Sequence, residues 1–179
     1  MKQKIILDLC GGTGSWSKPY KDAGYDVRLV TLPDNDVRTY VPPKNVYGIL
    51  AAPPCTDFAN SGARWFAEKD GSGITIESQG IVIAVLRIIA QCKPKWWALE
   101  NPVGRIRAWL GDPALLFNPC DYGDPYTKKT LLWGEFNIPK KHPVSPTEGS
   151  KMWKQYGGKS EHTKMMRSIT PPPLCAGFL

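Results

Sequence analysis

The run Lys4-Ile5-Ile6-Leu7-Asp8-Leu9 ends in a glycine cluster, Cys10-Gly11-Gly12-Thr13-Gly14, and no other part of the chain constrains the fold as strongly. A short apolar run stopped by glycine suits a buried parallel strand. Glycines at the turn permit positive φ angles and let a ligand approach the main chain. Ser15 to Gly24 then predicts a helix, with Pro19 tolerable near its start. The free N–H groups at such a helix start suit a carboxylate or a phosphate. In an open α/β sheet, ligands bind beyond the carboxyl ends of the strands. No Gly-Lys-Ser/Thr ending follows, so the loop is not a P-loop. Taken alone, the glycines leave open a dinucleotide site or a tight turn with no ligand.

Further strands are predicted at Tyr25–Leu32, Val46–Ala52 (stopped by Pro53-Pro54) and Lys95–Glu100 (broken by Asn101-Pro102), with another at Thr130–Gly134. A polar, glycine-containing loop is expected from Thr56 to Gly73. Thr75 to Cys92 reads as a well-buried helix, and Arg105 to Leu110 as a short one. Strands alternating with helices predict an α/β fold with a mostly parallel sheet. From Ile138 onward, prolines, lysines and polar residues dominate, and no clear period runs through Ser145–Lys164. There is no internal repeat.

The 179 residues suit one domain, and 42% hydrophobic with 22% charged residues predicts an ordinary globular core. The longest apolar stretch, Gly80–Leu86 extended past Arg87 by Ile88-Ile89-Ala90, is too short and interrupted to predict a membrane span. The N-terminal residues lack the apolar run and cleavage site of a secretory signal. Five scattered cysteines (Cys10, Cys55, Cys92, Cys120, Cys175) predict reduced thiols in a cytosolic setting. The two histidines, His142 and His162, lie in polar, basic stretches, so no metal site is predicted. Lysine and arginine total 23 against 16 acidic residues, and this excess suits an anionic partner such as nucleic acid.

The segment Ala52-Pro53-Pro54-Cys55-Thr56-Asp57-Phe58-Ala59-Asn60-Ser61-Gly62 closely resembles the Pro-Pro-Cys-Gln-x-Phe-Ser-x-x-Gly signature of DNA cytosine carbon-5 methyltransferases. Asp8–Gly14 is similar to that family's Asp-Leu-Phe-x-Gly-x-Gly motif, and Glu100-Asn101-Pro102 to its Glu-Asn-Val motif. Asp121-Tyr122-Gly123-Asp124-Pro125-Tyr126-Thr127-Lys128-Lys129-Thr130 resembles its Asp-Tyr-Gly-x-Pro-Gln-x-Arg-x-Arg segment. Arg167-Ser168-Ile169-Thr170-Pro171 resembles its Arg-x-Leu-Thr-Pro element. The matches come in the family's order and span nearly the whole chain. The short format resembles small phage or prophage-borne members.

This resemblance implies a Rossmann-like, S-adenosylmethionine-dependent methyltransferase fold, with helices on both faces of the sheet. It implies methyl transfer to carbon 5 of cytosine, most naturally in flipped-out DNA. Carbon 5 is a poor nucleophile until a thiolate adds to carbon 6, and Cys55 fits that role. An ordinary cysteine titrates at about 8.5, so local lowering is expected. Glu100 would stabilise the adduct at ring nitrogen 3 and supply a proton. Asn101 would order the turn, and Lys128 would place positive charge at a phosphate or the base carbonyl. Asp8, Cys10, Gly12 and Gly14 would line the methionine part of the cofactor, among a wider binding set of Leu9, Gly11, Ser15, Trp16, Ala52 and Pro53. Asp36 would meet the adenine amino group with Val37 against the ring; the other reading of Asp36 is a polar turn.

The sequence also departs from the family. Thr31 stands where an acidic residue holds the ribose, or Asp34 substitutes from the loop. The Arg-x-Arg pair becomes Lys128 and Thr130, which loses the bidentate fork. The expected division is a catalytic, cofactor-binding domain over 1–137, a short excursion over 138–166 in place of a target recognition domain, and a returning segment over 167–179. The excursion carries Lys140, Lys141, Trp153, Lys154, Tyr156 and Lys159, a set suited to phosphates and stacked bases or else to a solvated loop. The family's last motif has no visible counterpart, so weak cofactor binding, a partner subunit or a homodimer is expected. The expected location is the cytoplasm, that of a bacterial host if the chain is phage-encoded. The alternatives are a non-catalytic nucleic-acid-binding protein of the same fold, or an enzyme acting on cytosine in RNA or a free nucleotide.

Overall fold

The computed structural model describes residues 3–150. β1 (Ile5–Leu9) is buried along almost its whole length, as a central strand covered on both faces must be. α1 (Lys18–Asp22) is shorter than the Ser15–Gly24 expectation, because residues 10–17 form the glycine loop and a turn. β2 (Asp26–Val30) and β3 (Val46–Ala51) follow. A 3-10 helix (Asn60–Trp65) and α2 (Phe66–Gly71) occupy a stretch expected to be loop. Neither buries a side chain, which is why no apolar periodicity announces them.

α3 (Ile74–Cys92) is the long helix, begun at Gly73 in the left-handed region and ended by Lys93 at φ 45°. β4 (Trp96–Pro102) runs on through Asn101-Pro102, where the proline was expected to end it. β3 pairs only with Trp96–Leu99, so Pro102 needs no N–H on that side; the other side pairs with Thr130. Then come α4 (Arg107–Leu110), β5 (Leu115–Phe117), a 3-10 turn at Pro119–Tyr122, β6 (Tyr126–Thr127), β7 (Thr130–Glu135) and β8 (Gly149–Ser150).

The main sheet has the order β2-β1-β3-β4-β7-β5. β2, β1, β3 and β4 are mutually parallel, while β7 is antiparallel to both β4 and β5. Strand alternation divides the interior in two. Leu7, Ile49, Leu99 and Leu131 face a core closed by Val82, Val85, Ile88 and Ile89 of α3. Ile6, Leu50, Ala98 and Leu132 face a second core with Trp16, Tyr20, Phe117 and Tyr122. Helices thus lie on both faces, but unequally: nineteen residues of α3 on one, and the five-residue α1 with a stack of aromatics on the other. Tyr20 stacks on Trp96 at 5.3 Å, and Trp96 rests on Gly48, where any Cβ would come within 2.3 Å of the indole.

By length and composition alone α3 is apolar enough to cross a membrane, longer than the Gly80–Ala90 run suggested. In this fold its buried stripe packs on the sheet. Residues 142–149 return along the chain before β7: His142 N donates to Asp121 O (3.0 Å) and Glu148 N to Pro125 O (2.8 Å). β8 pairs in parallel with β6. Lys140 and Lys141 are exposed. Trp153, Lys154, Tyr156, Lys159, the 167–171 element, His162 and Cys175 lie outside the described residues.

Candidate active site

The glycine loop is shaped around a buried carboxylate. Asp8 is wholly buried, with Oδ2 accepting a hydrogen bond from Ser17 Oγ at 2.6 Å. Oδ1 has no hydrogen-bond partner among the described residues. Burial raises its pKa to about 6, and the Ser17 bonds only partly offset that. Gly11 crosses directly over this group, where a Cβ would sit 2.3 Å from the carboxylate. Cys10 takes φ 57°, an uncommon state for a residue with a Cβ, and its N–H donates to Val30 O at 2.8 Å. Gly12 (φ 54°) has open space where a side chain would be, and Gly14 (φ 72°) closes the turn by donating to Gly11 O. Leu9 and Trp16 point into the cores, so only their main chain faces the loop. Ser15 is half-buried.

Beside this loop lies an open cavity of about 140 Å³, lined by Cys10, Thr31, Asp36, Val37 and Pro54 among others. Asn35 and Ile81 also line it, and neither was singled out in the sequence. Thr31, unlike Asp34, is part of the lining. Asp36 accepts a bond from the Arg38 main-chain N–H (2.9 Å) and pairs with the Arg38 guanidinium (2.6 Å), which holds its carboxyl down at about 2. Arg87 of α3 pins the same turn by donating to the carbonyls of Val37 (3.3 Å) and Tyr40 (3.1 Å). A larger cavity, about 390 Å³, lies at the opposite edge of the sheet between Tyr47, Lys95, Trp96 and Glu135. It adjoins none of the candidate site residues.

The chain leaving β3 carries the cysteine. Ala52 N donates to Leu9 O at 2.9 Å, which continues the sheet one residue further. The wholly buried Asn101 then donates from Nδ2 to Pro53 O at 3.0 Å. This ties the end of β4 to the Pro-Pro-Cys segment. Asn101 Oδ1 has no partner among the described residues. The Cys55 carbonyl accepts from the N–H groups of Phe58 (3.0 Å) and Ala59 (2.9 Å), so the nucleophile candidate heads a tight turn.

Glu100 is 9% exposed, with Lys128 Nζ 3.7 Å from its Oε1. Burial raises the Cys55 thiol above the ordinary range, the Glu100 carboxylate raises it further, and Lys128 opposes them. Cys55, Glu100, Asn101 and Lys128, distant in sequence, therefore meet at one place. That place adjoins the cavity, whose lining includes Pro54. Two opposite charges beside a shielded thiol can exchange a proton with a bound heterocycle and stabilise the charge that develops on it.

A set of polar residues that sequence reasoning missed surrounds the turn after Cys55. The Asp57 carboxylate accepts bonds from Lys69 Nζ (2.5 Å) and Ser78 Oγ. Burial pushes that carboxyl up, but Lys69 and Ser78 outweigh it and hold it below the usual range. Arg105 donates from Nε to the Asp57 carbonyl at 2.9 Å. These partners stand 12, 21 and 48 positions from Asp57, so no local pattern betrays them.

No family model matches the chain. It is 23% identical over 215 residues to the Type II methyltransferase M.DdeI of Desulfomicrobium norvegicum, covering 94% of this chain and 48% of that protein. Among solved structures it matches, with a TM-score of 0.50 and 17% identity, a protein described as a DNA modification methyltransferase encoded within an E. coli prophage. That match covers 80% of this chain and 53% of the other. The methyltransferase EhMeth of Entamoeba histolytica follows at a TM-score of 0.48 and 15% identity, over 84% of this chain and 58% of the other. The chain spans about half the length of the curated relative it matches. The likeness shows a Rossmann-like methyltransferase fold.

Proposed function

We propose that this chain, a distant homologue of a type II methyltransferase, transfers a methyl group to carbon 5 of cytosine in DNA, with Cys55 as the nucleophile. The observation that carries this reading is the meeting of Cys55 with the buried Glu100–Lys128 pair, beside a cavity bounded by both the glycine loop and Pro54.

The residues suit S-adenosylmethionine as cofactor. Gly12 leaves its side-chain position open, as a close-lying ligand requires. Val37 offers an apolar surface and Asp36 an acceptor in the neighbouring cavity, which suits a planar base with an amino group. Thr31, on the wall of the same cavity, would meet the ribose. When bound, the cofactor supplies an electrophilic methyl group on a sulfonium. Asp8 is buried beneath Gly11, so its part is to shape the loop; the main chain around the exposed Gly12 and Thr13 does the binding.

Cys55 adds as thiolate to carbon 6 of the ring, which makes carbon 5 electron-rich. Glu100 takes the Cys55 proton as the thiolate forms and hands it to ring nitrogen 3 as negative charge accumulates there. Lys128 opposes the rise in the Cys55 pKa and offers a cation to the base carbonyl. After methylation, water takes the carbon 5 proton, the freed electron pair restores the double bond as the thiolate leaves, and ring nitrogen 3 returns its proton through Glu100 to the sulfur. Because burial and Glu100 hold the thiol protonated in the free protein, attack should quicken as pH rises above neutrality.

The test is methyl transfer from labelled S-adenosylmethionine to DNA, RNA and free cytosine nucleotides, with Cys55→Ser as control. Transfer to DNA that the serine variant loses by at least about a thousand-fold is expected. A 5-fluorocytosine oligonucleotide should trap a covalent adduct with the wild type alone. Absence of transfer to every cytosine-bearing substrate refutes the reading, and tight DNA binding without transfer would favour a non-catalytic binding protein.

A further inference from the structure

We infer that Asp57 and Arg105 are positioning residues that fix the turn carrying Cys55 and so aim its thiol, an inference resting on the reading of Cys55 as nucleophile. Asp57 lies two residues past the thiol and is held from two sides. Its carbonyl takes the Arg105 Nε–H, and its carboxylate takes Lys69 and Ser78. Arg105 in turn lies five residues past Glu100, on the chain that leaves β4. Its main-chain N–H donates to Phe58 O at 2.9 Å, and Asn60 N donates to Val103 O at 3.0 Å. Between these contacts Gly104 touches the Phe58 carbonyl so closely that a Cβ would come within 2.0 Å. The thiol-bearing turn and the carboxyl-bearing strand end are thus clamped to each other, with one guanidinium at the joint.

The rest of that guanidinium holds the covering segment. Arg105 reaches Asp70 at 2.8 Å and Thr75 Oγ1 at 2.7 Å, and stacks 3.9 Å above the Phe66 ring. Residues 60–71 bury no side chain of their own, so polar contacts, not apolar packing, fix them. Arginine suits this place because its planar fork serves several acceptors at fixed angles, which lysine cannot do. Shielded ion pairs contribute little net stability, since desolvation offsets attraction. A network of this extent beside a reactive thiol is better explained by the geometry it imposes.

Two readouts test this on the whole chain. The first is iodoacetamide labelling of Cys55 without nucleic acid, with Cys92 as internal reference. The second is single-turnover methyl transfer to DNA, with S-adenosylmethionine affinity measured in parallel. For Arg105→Ala, Cys55 labelling should quicken about ten-fold while Cys92 is unchanged. Transfer should slow by about a hundred-fold, the scale expected of a misplaced reacting group, with cofactor affinity within about two-fold. Arg105→Lys should recover part of the transfer rate. Asp57→Asn keeps the shape, weakens the Lys69 pair and should move both readouts the same way. It stands in should Arg105→Ala not fold. Unchanged labelling in a folded variant overturns the inference, as does loss of cofactor binding in step with transfer. If the wild type transfers no methyl group but Arg105→Ala still exposes Cys55, the methyltransferase reading falls and the positioning role stands.

Discussion

The loops leaving β1 and β3 start from neighbouring parallel strands, carry a cysteine each, and are built by opposite means. The first is shaped by its main chain. Cys10, Gly12 and Gly14 take positive φ, and Gly11 seals a buried carboxylate beneath it. The second is shaped by side chains from elsewhere: Asn101 on Pro53, Lys69 and Ser78 on Asp57, Arg105 on the Asp57 carbonyl. The thiols differ accordingly. Burial pushes Cys10 up to about 12, with the charges of Asp8 and Asp36 adding to it. Cys55 is raised too, but it alone has a cation, Lys128, working against the rise. A loop made of glycine can cradle a ligand; only one braced by side chains can hold a reactive group against a second one.

The sharpest way to break this contrast is Glu100→Gln. It should slow methyl transfer by about a hundred-fold or more, as loss of a general acid does. It should also quicken alkylation of Cys55 near neutral pH, because one of the charges that raise the thiol is gone. A rate and a reactivity that fall together would show that Glu100 merely supports the turn. Next in size is Asp8→Asn. The folded pKa of Asp8, about 6, exceeds its ordinary 3.8. Well below pH 3.8 both states hold the proton. Between pH 4 and 6 the unfolded chain loses it first, so the native state loses about 3 kcal/mol of stability across that window. Urea titrations at pH 4 and pH 7 should show that slope in the wild type and not in the variant. The depressed carboxyls of Asp36, Asp57 and Asp70 act the other way, in a more acidic window. The smallest effect is expected from Cys10→Ala, with transfer within about three-fold and stability within about 1.5 kcal/mol. A larger loss of transfer would mean that the Cys10 thiol takes part after all.

The four parallel strands and the α3 helix were legible because local pattern marks them: apolar-rich stretches of strand length, and the nearly continuous apolar positions within Thr75–Cys92. β5 was not, since Leu115-Leu116-Phe117 is three residues long and exposes Leu116 at an edge. α2 was not, since its stability comes from contacts outside it. Pro102 read as a strand end because the sequence does not show that its missing N–H falls on an unpaired side. At the site, Cys55, Glu100 and Lys128 were identified through an ordered set of motifs, and the structure brings them together. Leu9 and Trp16 stood in the same motif, yet their side chains serve the core. Arg105 went unnoticed because a lone arginine after a short turn has no signature; its partners lie 30 to 48 positions away.

One reversal of chain direction matters more than its size suggests. Parallel strands bring only their final residues to the rim where chemistry happens, and β1, β3 and β4 do so with Asp8, Cys55 and Glu100 at or just past their tips. β7 travels the other way, so the rim receives what comes before it, and Lys128 precedes Thr130 by two. Had β7 been threaded like its neighbours, its six residues would have carried that ammonium roughly 20 Å off, to the far margin of the sheet. The acid would then lose this counter-charge, and the sulfur the cation that opposes the rise in its pKa. A single flipped ribbon thus lets a lysine late in the chain answer a glutamate from its middle.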